Sequence, residues 1–474
     1  MNTLDTNRLR NFVDTTWRGE IIPALTDYIR IPNKSPSFAP RWAEEGHMDR
    51  AVDLLCGWAR ERLHKLPGAT LEVLRLPSRT PLILIDVPGQ SGETVMLYGH
   101  LDKQPEMTGW AANKGPWIPV LEDDKLYGRG GADDGYAMFG SLAALFALKQ
   151  QGIAVARCVV VIEASEESGS PDLPAYMELI GPRIGEVGLI VCLDSGCGDY
   201  DRLWVTTSLR GLVGGTLRVE VLSEGVHSGD ASGIVPSSFR VLRQLLSRIE
   251  NPDTGEILLP ELQAQIPPDR RAQAQVAAAA LGDKVWSKFP FLPGMTPMRP
   301  ELNELVLNRT WRPTLSVVGF EGAPDLGSAG NVLRPQTSVK LSIRIPPTAD
   351  AERASKAVKA ALEANTPYGA RVHYEPEKAG SGWNAPETKP WLMAALDHAS
   401  EAAWGQRAAM MGEGGSIPFM GMLGKAFPRA QFVVTGVLGP NSNAHGPNEF
   451  LHIPTGIRVT ETVAHALAAH SARV

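Results

Sequence analysis

Residues 94–102 read Thr-Val-Met-Leu-Tyr-Gly-His-Leu-Asp. The apolar run of Val95 to Tyr98 fits a strand buried on both faces. It ends on an imidazole and a carboxylate, His100 and Asp102. Three similar runs surround it: Thr-Pro-Leu-Ile-Leu-Ile-Asp-Val (80–87), Cys-Val-Val-Val-Ile-Glu (158–163) and Leu-Ile-Val-Cys-Leu-Asp (189–194). An apolar, Ala-rich helix from about Tyr136 to Lys149 separates the 94–102 run from the 158–163 run. Buried runs alternating with helices predict an α/β fold around a largely buried sheet.

Outward from this stretch, residues 1–75 carry helical spacing, as in Val52, Leu54, Leu55, Trp58 and Leu63. The character changes near Arg210 and Gly211. Residues 215–222 and 338–345 alternate as half-exposed strands do, and helical stretches at about 237–249 and 351–364 accompany them. This predicts a small α+β domain, within which residues 251–313 form a Pro- and Ala-rich insertion of no assignable fold. Beyond about Ala385 the first pattern resumes, with a helix near 390–404, a buried run at 431–437 and a C-terminal helix. The sheet domain is therefore expected in two parts, 1–209 and 385–474, interrupted by the smaller domain at 210–384.

Length and composition fit this division. At 474 residues the chain exceeds what one core comfortably holds. It is 43% hydrophobic and 21% charged, as ordinary globular enzymes are. With 46 basic against 52 acidic residues and no basic block, nucleic acid and anionic membranes are poor partners. The first ten residues lack a signal peptide's apolar core, and no run is long enough to span a bilayer. Cys56, Cys158, Cys192 and Cys197 form no CxxC pair, so reduced, free thiols in a cytoplasmic protein are expected.

Polar groups of metal-binding type recur where the apolar runs end. His100 and Asp102 close the 94–102 run. Asp133 and Asp134 precede the Ala-rich helix. Glu166 and Glu167 follow the 158–163 run, Asp194 ends the 189–194 run, and His445 follows the last. In open α/β sheets the carboxyl ends of strands open onto the ligand crevice. Each group alone has a plainer reading: a His at a strand end is usually structural, Asp-Asp-Gly a turn, Glu-Glu a solvated surface. Five such groups at successive strand ends are harder to explain that way. Imidazole and carboxylate together suit zinc, and a shared carboxylate suits two ions.

As a set, these segments resemble the zinc peptidase family that contains carnosinase, cytosolic non-specific dipeptidase, aminoacylase and carboxypeptidase G. The dipeptidase branch is the nearest, through Gly-His-Leu-Asp-Lys-Gln-Pro (99–105), Gly-Arg-Gly-Gly-Ala-Asp-Asp-Gly (128–135), Glu-Glu-Ser-Gly-Ser (166–170), His-Ser-Gly (227–229) and Gly-Gly-Ser-Ile-Pro (414–418). The resemblance implies a catalytic domain with a mixed sheet flanked by helices, interrupted by a lid or dimerisation domain.

It also implies roles. Asp133 would bridge two divalent ions, zinc with manganese or cobalt as alternatives. His100 and Asp194 would complete one ion's shell, Glu167 and His445 the other's. Asp102 would hold the His100 imidazole in its ligating tautomer. Glu166 would be the general base acting on water. His227 resembles the histidine that stabilises the oxyanion, contributed across a homodimer in dimeric relatives. Arg344 resembles the arginine that pairs with the substrate's carboxylate, and Asn331, Gly415 and Ser416 resemble other substrate contacts. His47, His64, His373, His398, His452, His465 and His470 match no ligand position.

The implied activity is hydrolysis of an amide bond in a dipeptide or similar small substrate; an N-acyl amino acid deacylase would use the same scaffold. A binding protein that had lost catalysis would be expected to lack the base or a ligand, and here all are present. One departure stands out. Dipeptidases of this branch carry a histidine in a Gly-rich turn before the chain re-enters the catalytic domain, and residues 378–386 have none. The group on the amino side of the scissile bond therefore stays open: a free amine, a β-alanyl amine or an acyl group.

Overall fold

The computed structural model describes residues 3–90 and 92–473. The chain forms two compact units: Met1–Thr207, Ala385–Met411 and Met422–Val474 in one, and Ser208–Asn384 with Gly412–Gly421 in the other. Gly412–Gly421 thus groups with the smaller unit, whereas the sequence reading ran the second part of the sheet domain unbroken over 385–474.

The first unit is built on a six-stranded sheet. In spatial order its strands are Thr70–Leu74, Leu82–Val87, Arg157–Glu163, Thr94–His100, Val187–Cys192 and Gln431–Val434. The last four run parallel to one another; the first two join at one edge through antiparallel pairings. The sheet is mixed, as the resemblance implied. Every residue of Thr94–His100 is buried, which is why its sequence shows no alternation. Helical spacing was expected through residue 75, but 70–74 is the edge strand, and the last helical turn there ends at Lys65.

The helix Ala137–Gln150 is buried on all sides from Ala137 to Leu148, so it carries no amphipathic stripe. Its Ala, Leu, Phe and Met residues are mostly good helix formers. It stops at Gly152, whose φ of +68° is cheap only for glycine. Trp17, Trp58, Phe139, Val160, Leu193 and Val463 belong to one continuous core.

The smaller unit holds an antiparallel four-stranded sheet in the order Thr314–Glu321, Gln336–Ile345, Gly211–Glu220, Arg371–Pro376. Helices Ser238–Leu246 and Ala351–Glu363 supply Val241, Leu245, Val358 and Leu362 to a core that meets alternate strand residues such as Leu217, Val219, Leu341 and Ile343. One face of the sheet is thereby covered, which accounts for the period-two pattern. The 251–313 insertion folds within this unit as helices Pro268–Leu281, Lys284–Ser287 and Leu302–Thr310. Among the described residues, no helix is long and apolar enough to cross a membrane.

One buried histidine makes a pH-dependent contribution to the first unit. His465, on the C-terminal helix Ile453–Ser471, is 7% exposed and packs edge-on against His398 at 5.1 Å. Burial, aided by His398 and Arg10, lowers its pKa from 6.5 to about 4. The unfolded chain therefore binds a proton between these values that the folded chain refuses, and stability is lost as pH falls from about 6.5 to 4. The loss attributable to this residue is at most roughly 3.5 kcal/mol, at about 1.4 kcal/mol per pH unit. His465→Asn is expected to flatten the dependence of stability on pH in that window, measured by denaturant unfolding; parallel curves for both proteins would refute it.

Candidate metal centre

The loops that leave the strands Thr94–His100, Arg157–Glu163 and Val187–Cys192 at their carboxyl ends bring the expected side chains together. His100, Asp133 and Asp194 offer ligand atoms that all lie within 4.8 Å of one another, and so do Asp133, Glu167 and His445. Asp133 belongs to both groups. Its Oδ1 lies 3.4 Å from His100 Nε2, and its Oδ2 lies 3.0 Å from His445 Nε2. Asp194 Oδ2 is 3.8 Å from His100 Nε2, and Glu167 Oε2 is 3.3 Å from His445 Nε2.

Asp102 organises this arrangement, though not mainly through the expected contact. Its backbone carbonyl faces His100 Nδ1 at 3.1 Å, while its carboxylate is at 3.5 Å. The two carboxylate oxygens instead accept the backbone N–H groups of Glu166 and Glu167, each at 3.0 Å. One buried aspartate thus orients the imidazole and pins the turn that presents both glutamates. Because Glu166–Ser168 is a short helical turn and not a strand, adjacent glutamates need not face opposite ways. Gly99 is required by packing: a Cβ there would lie 2.5 Å from Ala137 Cβ and 2.8 Å from Asp134 Oδ2.

The charges favour cations. Burial, with the neighbouring charge of Asp133, raises Glu167 to about 8. Burial and Asp194 push Glu166 well above the ordinary carboxylate range, and Asp194 is itself raised by burial despite His100. Burial works against Asp133 as well, but the two imidazoles outweigh it and hold that carboxyl low. His445 is raised to about 9: its partial burial opposes protonation, and the Asp133 and Glu167 carboxylates overcome it. Among the described residues, Glu167 Oε1 is buried without a hydrogen-bond partner. Hard carboxylate oxygens, two imidazoles, excess buried negative charge and one shared aspartate fit a pair of divalent ions.

Several supporting residues escaped the sequence reading. Gln104 donates to Glu167 Oε2 at 2.5 Å. Arg129 pairs with Glu449, donates to Gly446 O at 2.9 Å, and Glu449 Oε1 accepts from Gly130 N at 2.9 Å. This buried pair ties the Asp133 turn to the His445 loop. Lys103, fully buried, donates from Nζ to Tyr28 O at 2.7 Å and Ile31 O at 2.8 Å, beneath Gly130. The available signal was proximity: each lies within five residues of an expected ligand.

The remaining expected residues lie in the smaller unit, in two groups. His227 sits in a short ribbon paired with Val332–Leu333, and Asn331 O accepts from Ser228 N at 2.9 Å. His227 is exposed, and its Nδ1 accepts from Gly229 N at 3.1 Å, which leaves Nε2 as the ring's donor nitrogen. Arg344, near the end of Gln336–Ile345, donates to Ser416 Oγ at 3.3 Å, and Ser416 Oγ donates to Arg210 O at 2.5 Å. Gly415 has no atom within 4 Å of where a Cβ would stand, so the loop is open there.

Comparison with known proteins agrees with this geometry. The chain is 27% identical over 456 residues to a cysteinylglycine-S-conjugate dipeptidase of Corynebacterium striatum, covering 93% of each. It is 27% identical over 374 residues to the mouse beta-Ala-His dipeptidase, covering 75% of this chain and 73% of that one. The fold matches human carnosine dipeptidase 1 with a TM-score of 0.75 at 22% identity, covering 99% of this chain and 100% of that one. It matches the di-peptidase Dug1p of Saccharomyces cerevisiae with a TM-score of 0.73 at 23% identity, covering 99% of both. The profile of peptidase family M20/M25/M40 covers residues 96–469, a span that takes in both candidate ligand groups. The chain belongs to peptidase family M20/M25/M40, metal-dependent hydrolases, and to its dipeptidase branch.

Proposed function

We propose that this protein hydrolyses the amide bond of dipeptides, or of similarly small substrates with a free carboxylate, using two divalent ions, zinc foremost. The observation that carries this reading is the pair of ligand groups sharing Asp133, with Glu166 beside them and in neither group. His100, Asp133 and Asp194 would hold one ion, and Asp133, Glu167 and His445 the other. Two cations bound there would polarise the scissile carbonyl and make water more acidic. Glu166 takes the proton from the attacking water and delivers it to the leaving amine. The Nε2 donor of His227 is suited to an oxyanion. Arg344, which among the described residues bonds no carboxylate, is suited to the substrate's carboxylate.

A hydrolysis screen of dipeptides and N-acyl amino acids, with zinc, manganese or cobalt added, tests the reading. Metal-dependent turnover of free dipeptides is expected. Turnover of acyl amino acids alone would transfer the assignment to a deacylase, a reading that the histidine-free segment 378–386 keeps in play. No turnover of either class would overturn it.

Arg344→Ala is expected to cut hydrolysis of a free-acid dipeptide by about 10–100-fold, while a C-terminal amide, which has no carboxylate to lose, changes little. Equal losses on both would make the arginine structural.

We also propose that the active form is a cytoplasmic homodimer, paired through the smaller unit. Supporting the pairing, Val317, Val318 and Phe320 are exposed on the edge strand Thr314–Glu321, with Phe239 stacked edge-on against Phe320 at 6.2 Å. Among the described residues the four cysteines form no disulfide, and three of them are buried, which supports a reducing compartment. In the dimer the partner subunit's His227 would complete each site. His227→Ala and Glu166→Gln homodimers should both be nearly inactive, and mixing them under subunit exchange should restore activity, because one site of a mixed dimer carries neither defect. Sedimentation of the active protein as a monomer, or an inactive mixture after verified exchange, would refute the shared site.

A further inference from the structure

Arg210 is 8% exposed, and among the described residues it bonds no carboxylate. Its guanidinium is shared instead among oxygens of three separate segments. Nε donates to Gly414 O at 3.2 Å, in the loop that carries Gly415 and Ser416. Nη1 reaches Asn308 O at 3.3 Å and Arg312 O at 3.3 Å, at the end of the 251–313 insertion. It also reaches Thr314 Oγ1 at 3.1 Å, where the edge strand Thr314–Glu321 begins. The main chain adds a further contact, since Arg210 O accepts from Ser416 Oγ at 2.5 Å. All these residues belong to the smaller unit.

These contacts converge on Arg344. In the antiparallel ladder Arg344 is paired with Thr314 on one side and with Leu212, two positions after Arg210, on the other. Arg344 Nη1 donates at 3.3 Å to the same Ser416 hydroxyl that Arg210 O holds. Ser416 is therefore fixed between the two arginines, accepting from the side chain of one and donating to the backbone of the other. The loop lies close: a Cβ on Gly414 would stand 3.3 Å from Arg210 Nη2, tighter than an ordinary contact. Asn308 is in the last turn of the helix Leu302–Thr310, where carbonyls lack intrahelical partners and favour a cation. That helix end helps offset the cost of burying the guanidinium, which burial, with the charges of Arg344 and Arg309, lowers to about 10. Arg210 is still a cation at neutral pH.

We propose that Arg210 is a positioning residue for recognition of the substrate's carboxylate: it holds the Gly414–Ser416 loop against Arg344 and is itself anchored by the end of the 251–313 insertion. The proposal rests on Arg344 being the carboxylate-binding residue of the amide hydrolase described above. It adds the residue that sets how well that site is formed, and it gives the insertion a part in substrate affinity. In this role Arg210 does not touch the substrate. A side chain that only orders the carboxylate site alters KM for substrates that carry the carboxylate and leaves kcat nearly unchanged.

The test compares Arg210→Lys, Thr314→Val and Arg344→Ala with the unmodified protein, all metal-loaded. Lysine keeps the charge but loses the planar fork that reaches several oxygens at once. Valine removes a single acceptor and nearly keeps the shape of threonine. Arg210→Lys is expected to raise KM for Ala-Ala by about 10-fold and Thr314→Val by about 3-fold, with kcat changed by less than about 2-fold. KM for Ala-Ala amide should stay where it is. N-acetyl-Ala and its amide serve as the parallel pair. Hydrogen exchange gives a readout independent of turnover: residues 412–417 should exchange faster in Arg210→Lys, while the strand Gln336–Ile345 keeps its protection. Unchanged exchange in the loop overturns the proposal, whatever the activity, and so does faster exchange in that strand as well. Equal losses on acid and amide in Arg210→Lys, with Arg344→Ala selective for the acid, also overturn it and leave the amide-hydrolase reading intact. A faster loop, with Arg344→Ala unselective or neither pair hydrolysed, keeps Arg210 as the brace of the loop and sinks the carboxylate reading instead. If Arg210→Lys does not fold, Thr314→Val decides by the same two readouts.

Discussion

Glu166→Gln is expected to leave the metal content unchanged and to lower kcat by about 10²–10⁴-fold, the usual worth of a positioned general base. The first half of the expectation follows from placement. Glu166 supplies no atom to either ligand group, and its backbone N–H, not its side chain, is what Asp102 holds at 3.0 Å. Replacing a carboxylate by an amide of the same shape should therefore leave the turn, Glu167 and both imidazoles where they are. The second half follows from chemistry, since an amide takes no proton from water. Elemental analysis and kcat measured on the same preparation separate the two effects. Activity near that of the unmodified protein would show that another group takes the proton, and loss of an ion would make Glu166 a ligand.

Much of the sheet domain is legible because its strands are buried on both faces. A run such as Val95–Tyr98 has no exposed side to accommodate polar residues, so a sudden imidazole or carboxylate at its end stands out. The same reasoning collects His100, Glu166, Glu167 and Asp194 at carboxyl ends, where the parallel order of the strands brings them to one edge of the sheet. What holds those groups in place is far less legible. Arg129 and Glu449 are 320 positions apart, and nothing in a single sequence pairs them. Asp102 was expected to act through its carboxylate on His100, yet its strongest carboxylate bonds go to the backbone of Glu166 and Glu167. Backbone partners leave no trace in residue identity.

The smaller unit illustrates a second limit. Alternation marks its strands, because one sheet face is covered by two helices and the other is not. It does not reveal that Gly412–Gly421, embedded in the second stretch of the sheet domain, groups with this unit. That segment is held by Arg210 and Arg344, contacts that depend on where the chain returns after more than 60 residues and not on any local pattern. The 251–313 insertion hid its three helices for a related reason. Pro and Gly punctuate it closely, and Phe289, Leu292 and Met298 are exposed, so its hydrophobic spacing does not follow a buried face.

Asp133→Ala is expected to abolish binding of both ions, a larger effect than removing any other single ligand. The expectation comes from counting. Without Asp133 one group keeps only His100 and Asp194, and the other only Glu167 and His445, so each retains two side chains. His445→Ala, by contrast, leaves His100, Asp133 and Asp194 complete, and should lose one ion while keeping the other. Two further consequences follow from the contacts of Asp133, whose Oδ1 and Oδ2 face different imidazoles at 3.4 and 3.0 Å. Asp133→Asn keeps one oxygen acceptor but offers an amide nitrogen to the second group, so it should bind metal to an intermediate level. In addition, activity in all three variants should follow the number of ions retained. Metal content after exhaustive dialysis and reconstitution, read by elemental analysis beside a circular-dichroism check that the fold persists, decides between shared and independent sites. Loss of a single ion in Asp133→Ala would mean that the aspartate serves only one of the two groups, and the charge held low by both imidazoles would then need another explanation.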